Sequence, residues 1–186
     1  MAIAPDMLST GRRALVGVLA GGAWIAWGLI MARALTPPIL TAAILAACLL
    51  LVGCGWCIFQ GYRSSATGQG SKRGKVNVGF MIVVMFEALA VGCAIFLAQR
   101  LERIDLVPDW IGIAVGLHFF GLAKVFHVGV YVLTGMAITA WCVLAWILFR
   151  GHALAVSVGL GVGAILWITS CWNLLSVLGP PTAKMD

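Results

Sequence analysis

Two ionisable side chains lie well inside long apolar stretches of the sequence, and both can exchange a proton. Glu87 falls within residues 76–98, and His118 falls within residues 110–123. An ionised carboxylate at the centre of a membrane helix costs about 2.5–3.5 kcal/mol on insertion scales, so it should face protein or a cavity and have a partner. Glu87 and His118 are therefore our candidate proton-coupling or substrate-binding residues.

The spacing of these two stretches predicts that Glu87 and His118 meet. If both stretches are helices, Glu87 lies about 16 Å and His118 about 12 Å from the same side of the protein, at 1.5 Å per residue. Consecutive antiparallel helices usually pack together, so the two side chains are expected to touch. A carboxylate and an imidazole in contact can share one proton near neutral pH, which is the chemistry of a proton relay or a proton-coupled carrier.

A structural role is the alternative for this pair. Hydrogen bonds between membrane helices are common and contribute about 0.6 kcal/mol on average, so a Glu–His contact can simply join two helices. Thr134 and Asn173 are further polar residues inside apolar stretches. We expect them to bond between helices and to support the site around Glu87 and His118.

The motif Cys54-Gly55-Trp56-Cys57 has the C-x-x-C spacing of thiol oxidoreductases. Residues at i and i+3 share a helix face, so the two thiols could form a bridge. The motif is expected toward the cytoplasmic end of its helix, where thiols stay reduced, and no loop supplies a second cysteine pair. Packing of Cys54 and Cys57 as small apolar residues is favoured over a redox role.

The three histidines do not suggest a metal centre. His118, His127 and His152 are expected at the middle, the inner edge and the outer edge of a membrane, whereas a zinc site needs three or four converging ligands. The sequence therefore predicts no metal site and no cofactor. It also assigns no catalytic residue, because one acid and one histidine are fewer than the convergent groups of a membrane hydrolase. A non-catalytic protein is favoured over an enzyme.

The elements that must position Glu87 and His118 follow from composition. Of 186 residues, 62% are hydrophobic and 10% are charged, which is too apolar for a water-facing globule. Six apolar runs appear, and unpaired backbone groups are not tolerated in hydrocarbon, so these runs should be helices. They cover residues 14–31, 39–59, 76–98, 110–123, 128–149 and 153–178. We predict an all-α integral membrane protein, one compact six-helix bundle that forms a single domain over residues 1–186.

Charge at the ends of the runs predicts the orientation. With the N-terminus inside, the basic residues on the inner side are Arg12, Arg13, Arg63, Lys72, Arg73, Lys75, Lys124 and Lys184, and those on the outer side are Arg33, Arg100, Arg103 and Arg150. The excess on the inner side favours N-in and C-in. Residues 61–75, rich in Gly, Ser, Lys and Arg, are expected to form a flexible cytoplasmic loop. The net charge of +6 lies in such loops, so a bilayer and not a nucleic acid is the expected partner.

Pairs of glycines predict close helix contacts. Gly17 and Gly21, and likewise Gly112 and Gly116, are four residues apart, which lets two helix backbones approach closely. A neighbouring helix of the same chain is the favoured partner for these faces. A second copy of the chain, in a homo-oligomer, is the alternative.

The stretch Gly116-Leu117-His118-Phe119-Phe120-Gly121-Leu122-Ala123 resembles a G-L-H-F-x-x-L-A helix of small bacterial multi-helix membrane proteins of unknown function. The resemblance covers about 25 residues, including the preceding residues 106–111. It implies a bacterial origin, hence a multi-pass protein of the inner membrane, and a role for His118.

Two functions remain open on the sequence alone. The first is a transporter or binder of a small molecule or ion, with Glu87 and His118 as a proton-titrating pair at the membrane midplane. The second is a non-catalytic membrane subunit or scaffold that assembles with itself or with a partner. Intramembrane ionisable residues favour the first function, because such residues usually mark ion or substrate pathways.

Overall fold

In the computed structural model the chain is an all-helical bundle. The structure describes residues 7–33, 36–66 and 78–178, and no strand occurs in these ranges. The six long helices are α1 (Met7–Met31), α2 (Pro37–Ala66), α3 (Val78–Arg100), α4 (Val107–Phe126), α5 (Val130–Leu148) and α6 (Gly151–Leu178). A short 3-10 helix, Ile104–Leu106, leads into α4.

All six helices are long and apolar enough to cross a membrane. Bulky apolar side chains cover their outer surfaces; Leu49, Val52 and Phe86 are each more than 65% exposed. A protein surrounded by water would bury such side chains, whereas lipid is their natural surroundings. The prediction of six apolar helices is confirmed, and the architecture fits a multi-pass membrane protein.

Several helices extend beyond the bounds expected from hydropathy. Helix α1 begins at Met7 and not at residue 14, so Arg12 and Arg13 lie within it. Helix α4 covers 20 residues and not the expected 14, because Pro108 fits its first turn, where no backbone N–H is needed. Helix α4 ends at Phe126, because the next residue, His127, has a left-handed φ of 55°.

The predicted cytoplasmic loop is shorter than expected at its start. Helix α2 continues to Ala66, so residues 61–66 are helical and their assignment to the loop is wrong. Gly61 fits against the backbone of Leu8 on α1, which keeps this end of α2 packed on the bundle. Residues 67–75 of the predicted loop lie outside the described residues, as does Lys184.

Helices α1 and α6 form the central pair, and glycines bring them together. A Cβ at Gly21 would lie 3.0 Å from the Gly163 carbonyl oxygen, and a Cβ at Gly28 would lie 2.8 Å from the Leu160 backbone nitrogen. Helices α4 and α5 form a second close pair, in which Gly116 of α4 faces Gly135 and Thr139 of α5 in the same way. The glycine faces singled out in the sequence are thus occupied by helices of the same chain.

Helices α2 and α3 lie at the periphery, apart from each other. Within the described chain, α2 packs on α1 and α6, whereas α3 packs only on α4 and the 3-10 helix. Helices α1 and α3 therefore flank a common space without direct packing between them. The buried core lies elsewhere, between α4, α5 and α6, around Ile138, Leu154 and Val158.

The indole of Trp167 provides a test of the α1–α6 contact. Its Nε1 donates to the Val18 carbonyl oxygen at 3.0 Å across the helix pair. We expect Trp167→Phe to lower the free energy of unfolding by about 0.6–1.7 kcal/mol, the range of interhelical hydrogen bonds in membranes. Chemical unfolding in mild detergent measures this, with Trp172→Phe, at a 65% exposed position of the same helix, as the control. Equal stabilities of the two variants would contradict the role of this bond.

Candidate functional site

A cavity of about 430 Å³ lies between α1 and α3 to α6. Its polar lining residues are Arg12, Arg13, Glu87, His118, Tyr131, Thr169, Ser170 and Asn173. The rest of its wall is aliphatic or aromatic, including Trp24 and Phe119. The cavity therefore brings together polar side chains from α1 and from α3 to α6.

Glu87 and His118 meet on the wall of this cavity. The Nδ1 atom of His118 lies 3.3 Å from Oε2 of Glu87, so the predicted contact between the two helices is present. The Glu87 side chain is 29% exposed and the His118 side chain is 10% exposed. The distance is that of an ion pair, but the angles do not make a directed hydrogen bond: Nδ1 is buried without a hydrogen-bond partner among the described residues.

On its other side, the Glu87–His118 pair borders an apolar groove. The groove has a volume of about 340 Å³ and lies between α3 and α4, with Val83, Phe86 and Leu117 in its wall. The carboxylate and the imidazole thus separate a polar cavity inside the bundle from an apolar surface at its edge. A ligand that enters the cavity therefore changes the surroundings of the carboxylate and of the imidazole.

Arg12 and Arg13 form the cationic end of the cavity. Arg13 is held by its own helix, since Nε donates to the Ser9 carbonyl oxygen (3.2 Å) and an Nη donates to the hydroxyls of Ser9 (3.3 Å) and Thr10 (3.2 Å). Tyr131 of α5 lines the same cavity. These contacts keep the guanidinium beside the cavity.

Sequence reasoning missed this role of the two arginines. It treated them as charges that orient the chain, outside the first apolar run. The signal that could have found them is helical spacing, because Arg13, Gly17, Ala20 and Trp24 recur at intervals of three or four residues and share one face of α1. All four line the cavity.

Aromatic rings join the Glu87–His118 pair to the cationic end. Phe119 packs edge-on against both His118 and Tyr131, at ring-centroid distances of 6.1 and 5.6 Å. Phe126 then contacts Tyr131 at 6.5 Å and Phe80 at 5.9 Å. Edge-on contacts of this kind stabilise a rigid packing of rings. They give the cavity one firm, apolar side.

The polar residues predicted to support the site lie on its α6 side. Asn173 lines the cavity directly. Thr134 is buried behind the wall, and its hydroxyl lies 2.9 Å from that of Thr169, which does line the cavity. Thr134 also donates to the Val130 carbonyl oxygen at 2.9 Å. Asn173 is thus available to a ligand, and Thr134 positions the Thr169 hydroxyl.

The cysteine motif lies apart from the cavity lining. Cys54 and Cys57 are free thiols, fully buried in a cluster with Ala14, Val18 and Leu174. They fill the interface of α2 with α1 and α6, as small apolar side chains do. In the described ranges no three His, Cys, Asp or Glu side chains come together as metal ligands would.

Asp109 is a buried carboxyl that sequence reasoning did not single out. It lies in the first turn of α4 and is 2% exposed, and its Oδ1 has no hydrogen-bond partner among the described residues. Its position near the end of an apolar run hid this burial. Unlike Glu87, it is not among the residues that line the cavity.

We expect Asp109→Asn to raise the free energy of unfolding at about pH 8 by roughly 1 kcal/mol. At that pH the carboxylate of the unfolded chain is ionised, so folding must either desolvate a charge or bind a proton, and an amide avoids both costs. The control is Asp105→Asn, which removes an ion pair of 3.1 Å with Arg103 at the surface and should slightly lower stability. Chemical unfolding in detergent compares the two, and a less stable Asp109→Asn variant would contradict this account.

No family model, no curated protein and no solved structure matches the chain. The function is therefore inferred from the site itself. The site offers a carboxylate and an imidazole in contact, two guanidinium groups, and hydrogen-bonding side chains along α6.

Proposed function

We propose that this protein binds a small solute in the cavity and carries it across a bacterial inner membrane, linked to proton exchange at Glu87 and His118. The observation that carries the proposal is the 3.3 Å approach of the carboxylate and the imidazole on the cavity wall. Two intramembrane ionisable residues at one depth are typical of proton relays and ion pathways. Because the pair borders the cavity, a solute there shares its surroundings with the exchanging proton.

Linkage between solute and proton follows from the groups that line the cavity together with the pair. Arg12 and Arg13 approach from α1 and Tyr131 from α5, whereas α6 contributes hydroxyls and the amide of Asn173. A solute that enters the cavity displaces water and changes the charge near Glu87 and His118. Any such change in proton binding must act reciprocally on solute binding.

The proposed topology places the N- and C-termini in the cytoplasm. It rests on the sequence, in which the predicted inner segments hold eight basic residues and the predicted outer segments four. In this orientation, the cationic end of the cavity faces the cytoplasm and the Glu87–His118 pair lies near the midplane. The cavity is then an inward-facing binding site with its proton-exchanging pair at the far end.

A flux assay tests the proposed function. Purified protein is reconstituted in vesicles that contain a pH-sensitive dye, and a panel of small carboxylic acids, phosphates, amines and sugars is added. We expect at least one solute class to move protons well above the rate in protein-free vesicles. The assay is run between about pH 5 and 8, where imidazole commonly exchanges protons. If no solute of the panel moves protons in this range, the proposal is contradicted.

The position of α3 favours a second candidate function, a membrane subunit or scaffold. Within the described chain α3 packs only on α4 and the 3-10 helix, which leaves much of its apolar surface for lipid or another protein. This candidate predicts a stable homo-oligomer or a co-purifying partner. Size-exclusion chromatography with light scattering decides it, since a monodisperse monomer without a partner counts against a subunit role.

A further inference from the structure

Two arginines line the end of the cavity formed by the first turns of α1. They are Arg12 and Arg13, whereas Glu87, the carboxylate among the described lining residues, lies at ion-pair distance from His118. Two guanidinium groups beside an apolar cavity favour an anion, and guanidinium binds carboxylate or phosphate through paired hydrogen bonds. Tyr131 and Asn173 add hydrogen-bonding groups to the same wall.

The body of the cavity suits an apolar chain. Trp24, Val115 and Leu166 line the end away from the arginines. Along α1, the path from Arg13 to Trp24 covers about 16 Å, at 1.5 Å per residue. A ligand that fills this length therefore has a charged group at one end and an apolar body along the other.

The flank between α1 and α3 offers a way in from the lipid. Both helices line the cavity, yet α3 packs only on α4 and the 3-10 helix in the part of the chain that the structure describes. In a membrane protein the bilayer lies outside this gap. An amphiphile can enter there with its chain still in an apolar medium.

We propose that the cavity binds an amphipathic anion, that is, a carboxylate or phosphate joined to an apolar chain. The anionic group contacts Arg12 and Arg13, and the chain follows Trp24 and Phe119 toward His118. The inference rests on the binding role proposed above for the cavity. It does not depend on proton coupling at Glu87 and His118.

Electron paramagnetic resonance of doxyl-stearate tests the inference. The protein is placed in nanodiscs of phosphatidylcholine, and the immobilised part of the spectrum reports bound probe. Dodecyl phosphate should displace the probe, whereas inorganic phosphate and dodecyltrimethylammonium should not. Displacement by inorganic phosphate would show a site for a soluble anion, and equal displacement by the cationic amphiphile would show a site that recognises only the chain. Either result overturns the proposal.

Charge variants locate the anionic group. We expect the double variant Arg12→Gln and Arg13→Gln to weaken probe binding roughly 10- to 100-fold, the loss expected for charge-assisted hydrogen bonds. The control Arg33→Gln removes a charge just beyond the other end of α1 and should leave binding unchanged. Because Arg13 also bonds to Ser9 and Thr10, a second double variant with lysine at both positions keeps the charge and should retain most of the binding. Equal binding by wild type and the glutamine variant would overturn the proposal.

The outcomes separate this inference from the proposed transport function. Immobilised doxyl-stearate in a protein that moves no protons would refute proton coupling and support the amphipathic ligand. Proton movement with a hydrophilic solute, in a protein that binds no doxyl-stearate, would overturn the inference and leave the proposed function standing.

Discussion

Replacing Glu87 with glutamine is expected to abolish solute-linked proton movement and to leave the folded yield intact. Glutamine keeps the shape of the side chain beside Nδ1 of His118, which lies 3.3 Å from the wild-type carboxylate, but it cannot exchange a proton. The stability change should stay within about 1 kcal/mol, since polar contacts between membrane helices are weak. Vesicle flux assays and unfolding in detergent measure the two effects separately.

The control for this variant is Glu102→Gln. Glu102 is an exposed acid between α3 and the 3-10 helix, so the same change of charge there should not affect proton movement. Full proton coupling in the Glu87→Gln variant would refute the proposed role. A large loss of stability in the same variant would instead assign the pair to helix association.

Gly28→Ala is expected to destabilise the bundle by about 1–3 kcal/mol, the usual cost of overpacking. The added Cβ would lie 2.8 Å from the Leu160 backbone nitrogen and 2.9 Å from Leu160 Cγ. A side-chain rotation cannot relieve a clash with backbone, so α1 and α6 must move apart. Because α1 carries Arg12 and Arg13 to the cavity, we expect ligand binding to weaken as well.

Gly22→Ala is the matched control on the same helix. A Cβ at Gly22 would meet nothing within 4 Å, so this variant should be as stable as the wild type or slightly more stable, since alanine favours helix. Free energies of unfolding in detergent compare the two variants. Equal stability would mean that the α1–α6 contact is looser than the structure shows.

The helices could be predicted because their signal is strong. Long apolar runs require helices in a bilayer, and counting residues from the helix ends placed Glu87 and His118 at one depth. The arrangement of α2 and α3 on separate sides of the bundle could not be predicted in this way. Lipid-facing and protein-facing surfaces are both apolar, so hydropathy does not reveal which face of α3 packs on α4.

The parts of the site that the sequence hid lie near helix ends. Arg12 and Arg13 are charged residues at the limit of an apolar run, where charges usually orient the chain or lie in loops. Their true positions depend on where each helix begins, and helix α1 begins seven residues earlier than hydropathy indicates. Tyr131 and Ser170 were missed for another reason, since polar residues of that kind are common in membrane helices and become informative only when a shared cavity is visible.

Infrared difference spectroscopy of the reconstituted protein tests the central claim most directly. The carboxyl C=O band is assigned to Glu87 by its absence in the Glu87→Gln variant and followed as a function of pH. We predict that this band changes with pH, and that His118→Ala alters the change, because two coupled groups exchange protons as a unit. A Glu87 band that does not change with pH across the range of the flux assay would contradict the account and leave the pair as a structural contact between α3 and α4.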